Sequence, residues 1–183
     1  MGCFGRICLL IFVVSTGVLT ITSLGFTGYY TKPHCTGGCQ DDMEEGCPGA
    51  YALISGDNYY KCPWKSATYV TGLIGLSLVV ILLAMIVFAI KGTALRRPII
   101  LVGLLALILS LVSTALMVKD LVKGIQYYKD NVVIAGAAFY PVEYVVNIIL
   151  MVFTILSTMI VLCGGSALSN KNRVPVQKFD SPA

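Results

Sequence analysis

Charge is scarce in this chain. Of 183 residues, 13 are Lys or Arg and 9 are Asp or Glu, 12% in all, and the mean hydropathy is +0.84. So little charge beside so much aliphatic surface excludes an ordinary soluble domain. The net charge of +4 is spread over segment ends rather than gathered in a patch, which excludes nucleic acid as a partner. Histidine occurs once, at His34, and no Cys-x-x-Cys occurs at all. Cys35-x3-Cys39 with one nearby His lacks the second ligand pair of a metal centre, and thiol–disulfide catalysis lacks its reactive pair. No phosphate-binding motif and no catalytic constellation is present, so no enzyme activity, cofactor or metal is expected. The Asn-x-Ser/Thr acceptor is also missing, which removes N-glycosylation.

What the chain does have is long apolar runs. Four stretches, residues 7–28, 67–90, 98–118 and 140–165, contain one ionisable carboxylate between them, Glu143. At about 1.5 Å per residue the third rises about 32 Å as a helix, against about 30 Å of hydrocarbon in a bilayer. Backbone groups in lipid need internal partners, so each run should be a transmembrane helix. The expected fold is an all-α membrane protein, a four-helix transmembrane bundle. Its segments are an N-terminus (1–6), a first connection (29–66), a short loop (91–97), a second connection (119–139) and a tail (166–183). The first run follows Arg6 but is longer than a signal-peptide core and has no clear cleavage site, so it reads as a retained anchor.

Orientation follows from the basic residues and the cysteines. With both termini in the cytosol, that side holds Arg6, Lys91, Arg96, Arg97, Lys171, Arg173 and Lys178. The far side holds Lys32, Lys61, Lys65, Lys119, Lys123 and Lys129. The counts are close, but all four arginines fall inside, and loop 91–97 concentrates three basic residues where the bias acts most strongly. Cys35, Cys39, Cys47 and Cys62 all fall in the first connection. A short Gly-rich loop of this kind buries too little apolar surface to fold unaided, so it should be disulfide-bonded in an oxidising compartment. Three pairings are open. Cys3, Cys8 and Cys163 lie at the opposite membrane face, on the reducing side, and Cys3 and Cys8 are the candidate S-acylation sites. Met1-Gly2 does not complete a myristoylation motif, because Arg6 stands where Ser or Thr is required.

The first connection holds an acidic run, Asp41, Asp42, Glu44 and Glu45, of the kind that usually forms a solvated face. Two β-prone runs, 51–54 and 59–62, flank Ser55-Gly56-Asp57-Asn58, a spacing that suits a β-hairpin. The turn-rich segment 33–39 reads as loop, and residues 135–138 read as the return into the membrane. All ten tyrosines and Trp64 fall in the far-side connections or at that end of the spans, as in an interfacial belt.

Inside the membrane, helices associate through small residues and interhelical hydrogen bonds. Gly17, Thr20, Ser23, Gly25 and Gly28 supply these in the first span, and Gly72, Gly75 and Ser77 in the second. Ser110/Thr114 and Thr154/Thr158 are face-sharing pairs in the third and fourth. No aligned stripe of carboxylates, amides or basic groups runs through the spans, so no polar pore is expected. Glu143 and Asn147, four apart near the start of the fourth span, form the one candidate intramembrane polar site. A structural role for Glu143, paired to Lys119 or Lys123 or snorkelled to water, outweighs a transport role. Residues 119–130 keep helical spacing of apolar positions, so the third helix should continue past the bilayer.

Four spans, both termini inside and a larger, disulfide-bonded first loop: this topology resembles the claudin and peripheral-myelin families. Claudins carry a Gly-Leu-Trp followed by a Cys pair in that loop, whereas here Trp64 follows Cys62, and no family residue is carried over. An outward loop rich in Tyr and acid, helices with small-residue faces and no catalytic constellation point to a non-enzymatic membrane organiser, expected in the plasma membrane by the secretory route and acting in a junction, in adhesion or as an accessory subunit. Its partners would be the lipid bilayer and other membrane proteins, by self-association or in a hetero-complex. A channel or transporter subunit using Glu143 and Asn147 is the alternative.

Overall fold

Apolar runs that must close their own backbone hydrogen bonds do so here as four helices, α1 (Cys3–Tyr29), α2 (Ser66–Ile90), α3 (Arg96–Asn131) and α4 (Val142–Lys171). The computed structural model describes residues 3–29, 34–36, 52–55, 58–61, 66–131, 138–139 and 142–171, the strands in their backbone only. Each helix contains a stretch long and apolar enough to cross a membrane: Gly5–Tyr29, Ala67–Ile90, Arg96–Gln126 and Tyr144–Ser169. The arrangement is that of a multi-pass protein.

Close approaches fix how the helices run. Gly17 of α1 lies against Leu83 of α2, and Thr27 lies near Gly72, so α1 and α2 are antiparallel. Gly72 and Gly75 meet Ser113 and Ser110 of α3, Gly103 meets Leu162 of α4, and Gly164 meets Leu9 of α1. Ile86 and Gly165 touch across the bundle, where α2 and α4 run parallel. The result is an up-down-up-down bundle in which α1 closes the ring against α4.

One spacing organises the whole interior. The buried residues include Leu9, Val13, Thr16, Thr20, Ser23 and Thr27 on α1, and Thr68, Gly72, Gly75, Val79, Leu82, Ile86 and Ala89 on α2. On α3 they include Ile99, Gly103, Ala106, Ser110, Ser113, Met117, Asp120 and Gly124. On α4 the row is Tyr144, Asn147, Met151, Thr154, Thr158, Val161, Gly165 and Leu168. Every row alternates steps of three and four, the heptad rule that keeps a seam facing its neighbours in a left-handed bundle. The outward faces are apolar: Leu101 is 72% exposed and Ile21 68%, an arrangement that suits hydrocarbon and not water.

α2 and α3 are joined by a tight connection. Gly92 has φ +107°, and the bonds Gly92 N–H to Ala89 O (3.0 Å) and Thr93 N–H to Phe88 O (3.2 Å) close a Schellman cap. Pro98 stands in the first turn of α3, where a missing N–H costs nothing. Lys91, Arg96 and Arg97 are exposed around this turn.

The other two connections meet in a four-stranded antiparallel sheet of order β1-β3-β2-β4, with β1 His34–Thr36, β2 Ala52–Ser55, β3 Asn58–Lys61 and β4 Ala138–Phe139. β3 pairs with β2 from Ala52↔Lys61 to Ser55↔Asn58; Gly56 and Asp57 between them lie outside the described residues. Two strands correct the sequence reading. His34–Thr36, in a segment read as loop, pairs with β3, and Ala138–Phe139, at the end of a segment read as the return to the membrane, pairs with β2. Both pairings are supplied by distant chain. α4 also runs past the expected end of the fourth span, at residue 165, to Lys171; residues 172–183 lie outside the described residues.

Candidate functional site

The seams change character along the bundle axis. Toward the end where α1 begins, α4 ends and the α2–α3 turn lies, the interior is aliphatic: Leu9, Val13, Val79, Leu82, Leu83, Ile86, Ile99, Leu107, Val161 and Leu162. Toward the sheet end it carries hydroxyls, an amide and a carboxylate, interspersed with Leu76, Met117 and Met151. On α1 this polar tier is a continuous row, Thr16, Thr20, Ser23 and Thr27, all buried.

Part of the tier is satisfied locally. The Thr16 and Thr20 hydroxyls donate to Phe12 O and Thr16 O, both at 2.7 Å, and Thr154 and Thr158 donate to Leu150 O (2.8 Å) and Thr154 O (2.6 Å). Such back-bonding lets a helix carry hydroxyls without an external partner. Other bonds cross between helices. Ser23 Oγ lies 3.3 Å from Thr154 Oγ1, and Ser113 Oγ donates to Thr68 O at 3.1 Å. Gly72 and Gly75 permit this contact, because a Cβ at Gly75 would stand 3.0 Å from the backbone nitrogen of Ser110.

The remainder is unsatisfied. Among the described residues, Thr27 Oγ1, Ser110 Oγ and both amide atoms of Asn147 are buried without a hydrogen-bond partner, as is Ser169 Oγ near the opposite end. Buried polar atoms are nearly always paired, so an unpaired cluster signals a site for water or a ligand. Asp120 belongs to the same tier. It is 3% exposed, and its Oδ2 accepts the Thr68 hydroxyl at 3.2 Å.

The sequence reading missed Asp120. It lies two residues past the third apolar run, among lysines, and falls in the segment assigned to the second connection. The signal was present in phase: Asp120 continues the row Ser110, Ser113, Met117. The expected absence concerned carboxylates, amides and basic groups; the row that lines up through about half of the bundle is one of hydroxyls. Of the predicted pair, Asn147 is fully buried (0% exposed). Glu143 lies in the first turn of α4, and its side chain lies outside the described residues. Lys119 and Lys123 are exposed.

The packing residues divide. Thr20, Ser23, Gly72 and Gly75 stand in the interior, whereas a Cβ at Gly25 or Gly28 would meet no atom within 4 Å, and Ser77 is exposed. Gly25 instead joins Thr22, Phe26 and Tyr29 in an apolar groove of about 330 Å³ on the outer face of α1. Cys8 and Cys163 are free thiols, half-buried and exposed respectively; Cys3 opens α1, and its side chain lies outside the described residues. Cys35 stands in β1 opposite Tyr60, while Cys39, Cys47 and Cys62 lie outside the described residues. Among the described residues no three His, Cys, Asp or Glu side chains gather into a metal-binding group.

No family model, curated protein or solved structure matches this chain.

Proposed function

We propose that this chain is a non-enzymatic four-span membrane organiser, a junctional, adhesive or accessory protein of the claudin and peripheral-myelin type. In this reading the termini are cytoplasmic, the sheet faces outward at the plasma membrane, and Cys35, Cys39, Cys47 and Cys62 pin the first connection, with its hairpin, through disulfides. The observation that carries it is the aliphatic half of the interior. Leu82, Leu83, Ile86, Val161 and Leu162 fill the axis there, and a side-chain-packed core is a poor conduit for ions or solutes. What remains for such a protein to do is to present surfaces. The antiparallel sheet draws both of its connections into one platform, and α1 turns Gly25, unused by the bundle, toward lipid, where a second helix could approach closely.

Gentle purification from native membranes tests this. A photo-crosslinker in place of Gly25 is expected to trap one discrete membrane-protein partner, or a second copy of the chain. The same group in place of Leu104, on the outer face of α3, should trap none. Ion conductance from the chain reconstituted alone, with no trapped partner, would favour the second reading, a channel or transporter subunit. The unpartnered amide of Asn147 is the observation on that side.

A further inference from the structure

We propose that the polar tier holds a monovalent inorganic cation, bound by the carboxylate of Asp120 with oxygen ligands from Thr68 and Asn147. This goes beyond the organiser reading and does not depend on it.

The charge comes first. Asp120 is 3% exposed, and among the described residues its carboxylate accepts a single side-chain hydrogen bond, from the neutral Thr68 hydroxyl; an ionised carboxylate buried in this way is costly without a positive partner. The nearest lysines along α3, Lys119 and Lys123, are exposed, and among the described residues no basic side chain pairs with it. Water could serve the hydroxyls of Thr27 and Ser110, but a buried anion calls for a positive charge.

The ligands come next. Thr68 Oγ1 is already 3.2 Å from Asp120 Oδ2. Asn147 stands at the same level of the bundle, because as many residues separate it from Gly165 as separate Thr68 from Ile86. Ile86 and Gly165 touch, and α2 and α4 run parallel. Asn147 is fully buried, yet among the described residues its amide oxygen and nitrogen find no partner. Two helices thus hold a carboxylate and a hydroxyl at the level where a third supplies an idle amide.

The donor set then selects the ion. It is all oxygen, with no nitrogen or sulfur ligand of the kind zinc takes. One carboxylate among neutral oxygens is too little negative charge for a dedicated calcium cage of six to eight ligands. A singly charged alkali cation matches one carboxylate in charge. Its route is from the sheet end, since the opposite half of the interior is aliphatic.

Thermal unfolding of the full-length chain in lipid nanodiscs tests the site, with sodium or potassium chloride replacing N-methylglucamine chloride at constant ionic strength. The wild-type midpoint is expected to rise with one of the two ions and to saturate. Asp120→Asn should lose that rise, and in alkali-free buffer should melt no lower than the wild type, because the uncompensated charge is gone. Asn147→Ala should weaken apparent affinity about tenfold or more, whereas Ser169→Ala, a buried hydroxyl at the other end, should keep the full response. A wild type indifferent to both ions overturns the proposal, as does an undiminished rise in Asp120→Asn. If Asp120→Asn yields no folded protein, Thr68→Val takes its place, and a response equal to the wild type's counts against the site.

Discussion

Gly75 and Gly25 show how one residue type does two jobs in a single membrane protein. The α2 glycine is held against the backbone of α3, where a methyl group would press on the nitrogen of Ser110, which cannot move without moving the helix. Gly75→Ala is expected to lower stability by about 1–3 kcal/mol, the range for overpacking a filled interface. The α1 glycine faces open space, so Gly25→Ala should shift stability by less than about 0.5 kcal/mol. Unfolding of the purified variants in one detergent checks both. By composition these glycines are equivalent; only the seam phase separates them. The same holds for Asp120, whose neighbours Lys119 and Lys123 made it look solvent-facing, although it is three residues beyond Met117 on the buried row.

At the scale of elements, the turn between α2 and α3 rests on Gly92. Its φ of +107° is one that side chains disfavour, and it places two N–H groups on the last free carbonyls of α2. Gly92→Ala should cost about 1–2 kcal/mol, because a Cβ in that region crowds the following carbonyl. The loss should appear as a lower unfolding midpoint, and Gly92→Asn should recover part of it. Helix existence was legible throughout, since runs of this length have no alternative in lipid. The strands were less so. β2 and β3 announce themselves by β-prone composition on either side of Gly56-Asp57, but β1 and β4 are too short to carry a pattern and exist only because a distant strand offers bonding groups.

For the whole molecule, the disulfide and topology expectations make a joint prediction. In intact cells, a membrane-impermeant maleimide should fail to label Cys35, Cys39, Cys47 and Cys62 until a reductant is added, and should then label all four. Cys8 and Cys163, free thiols on the helices, should stay unlabelled from outside in both conditions. Mass spectrometry of the alkylated peptides counts the result. Labelling of the four without reductant would remove the pinned loop from the proposal, and labelling of Cys163 from outside would reverse the topology.

Hydropathy by itself determined that this chain makes four membrane-length helices, because the cost of an unpaired backbone group in hydrocarbon leaves no other structure. The low charge and the lone histidine, likewise, set the chemistry that could be expected. Which polar side chains face one another was decided only by the tertiary structure. Burial depends on the rotation of each helix about its axis, and that rotation is set by the neighbours against which Gly72, Gly75, Gly103 and Gly165 pack. The row from Thr16 to Thr27, the buried Asp120 and the buried Asn147 came to face one interior when four heptad seams met around a common axis.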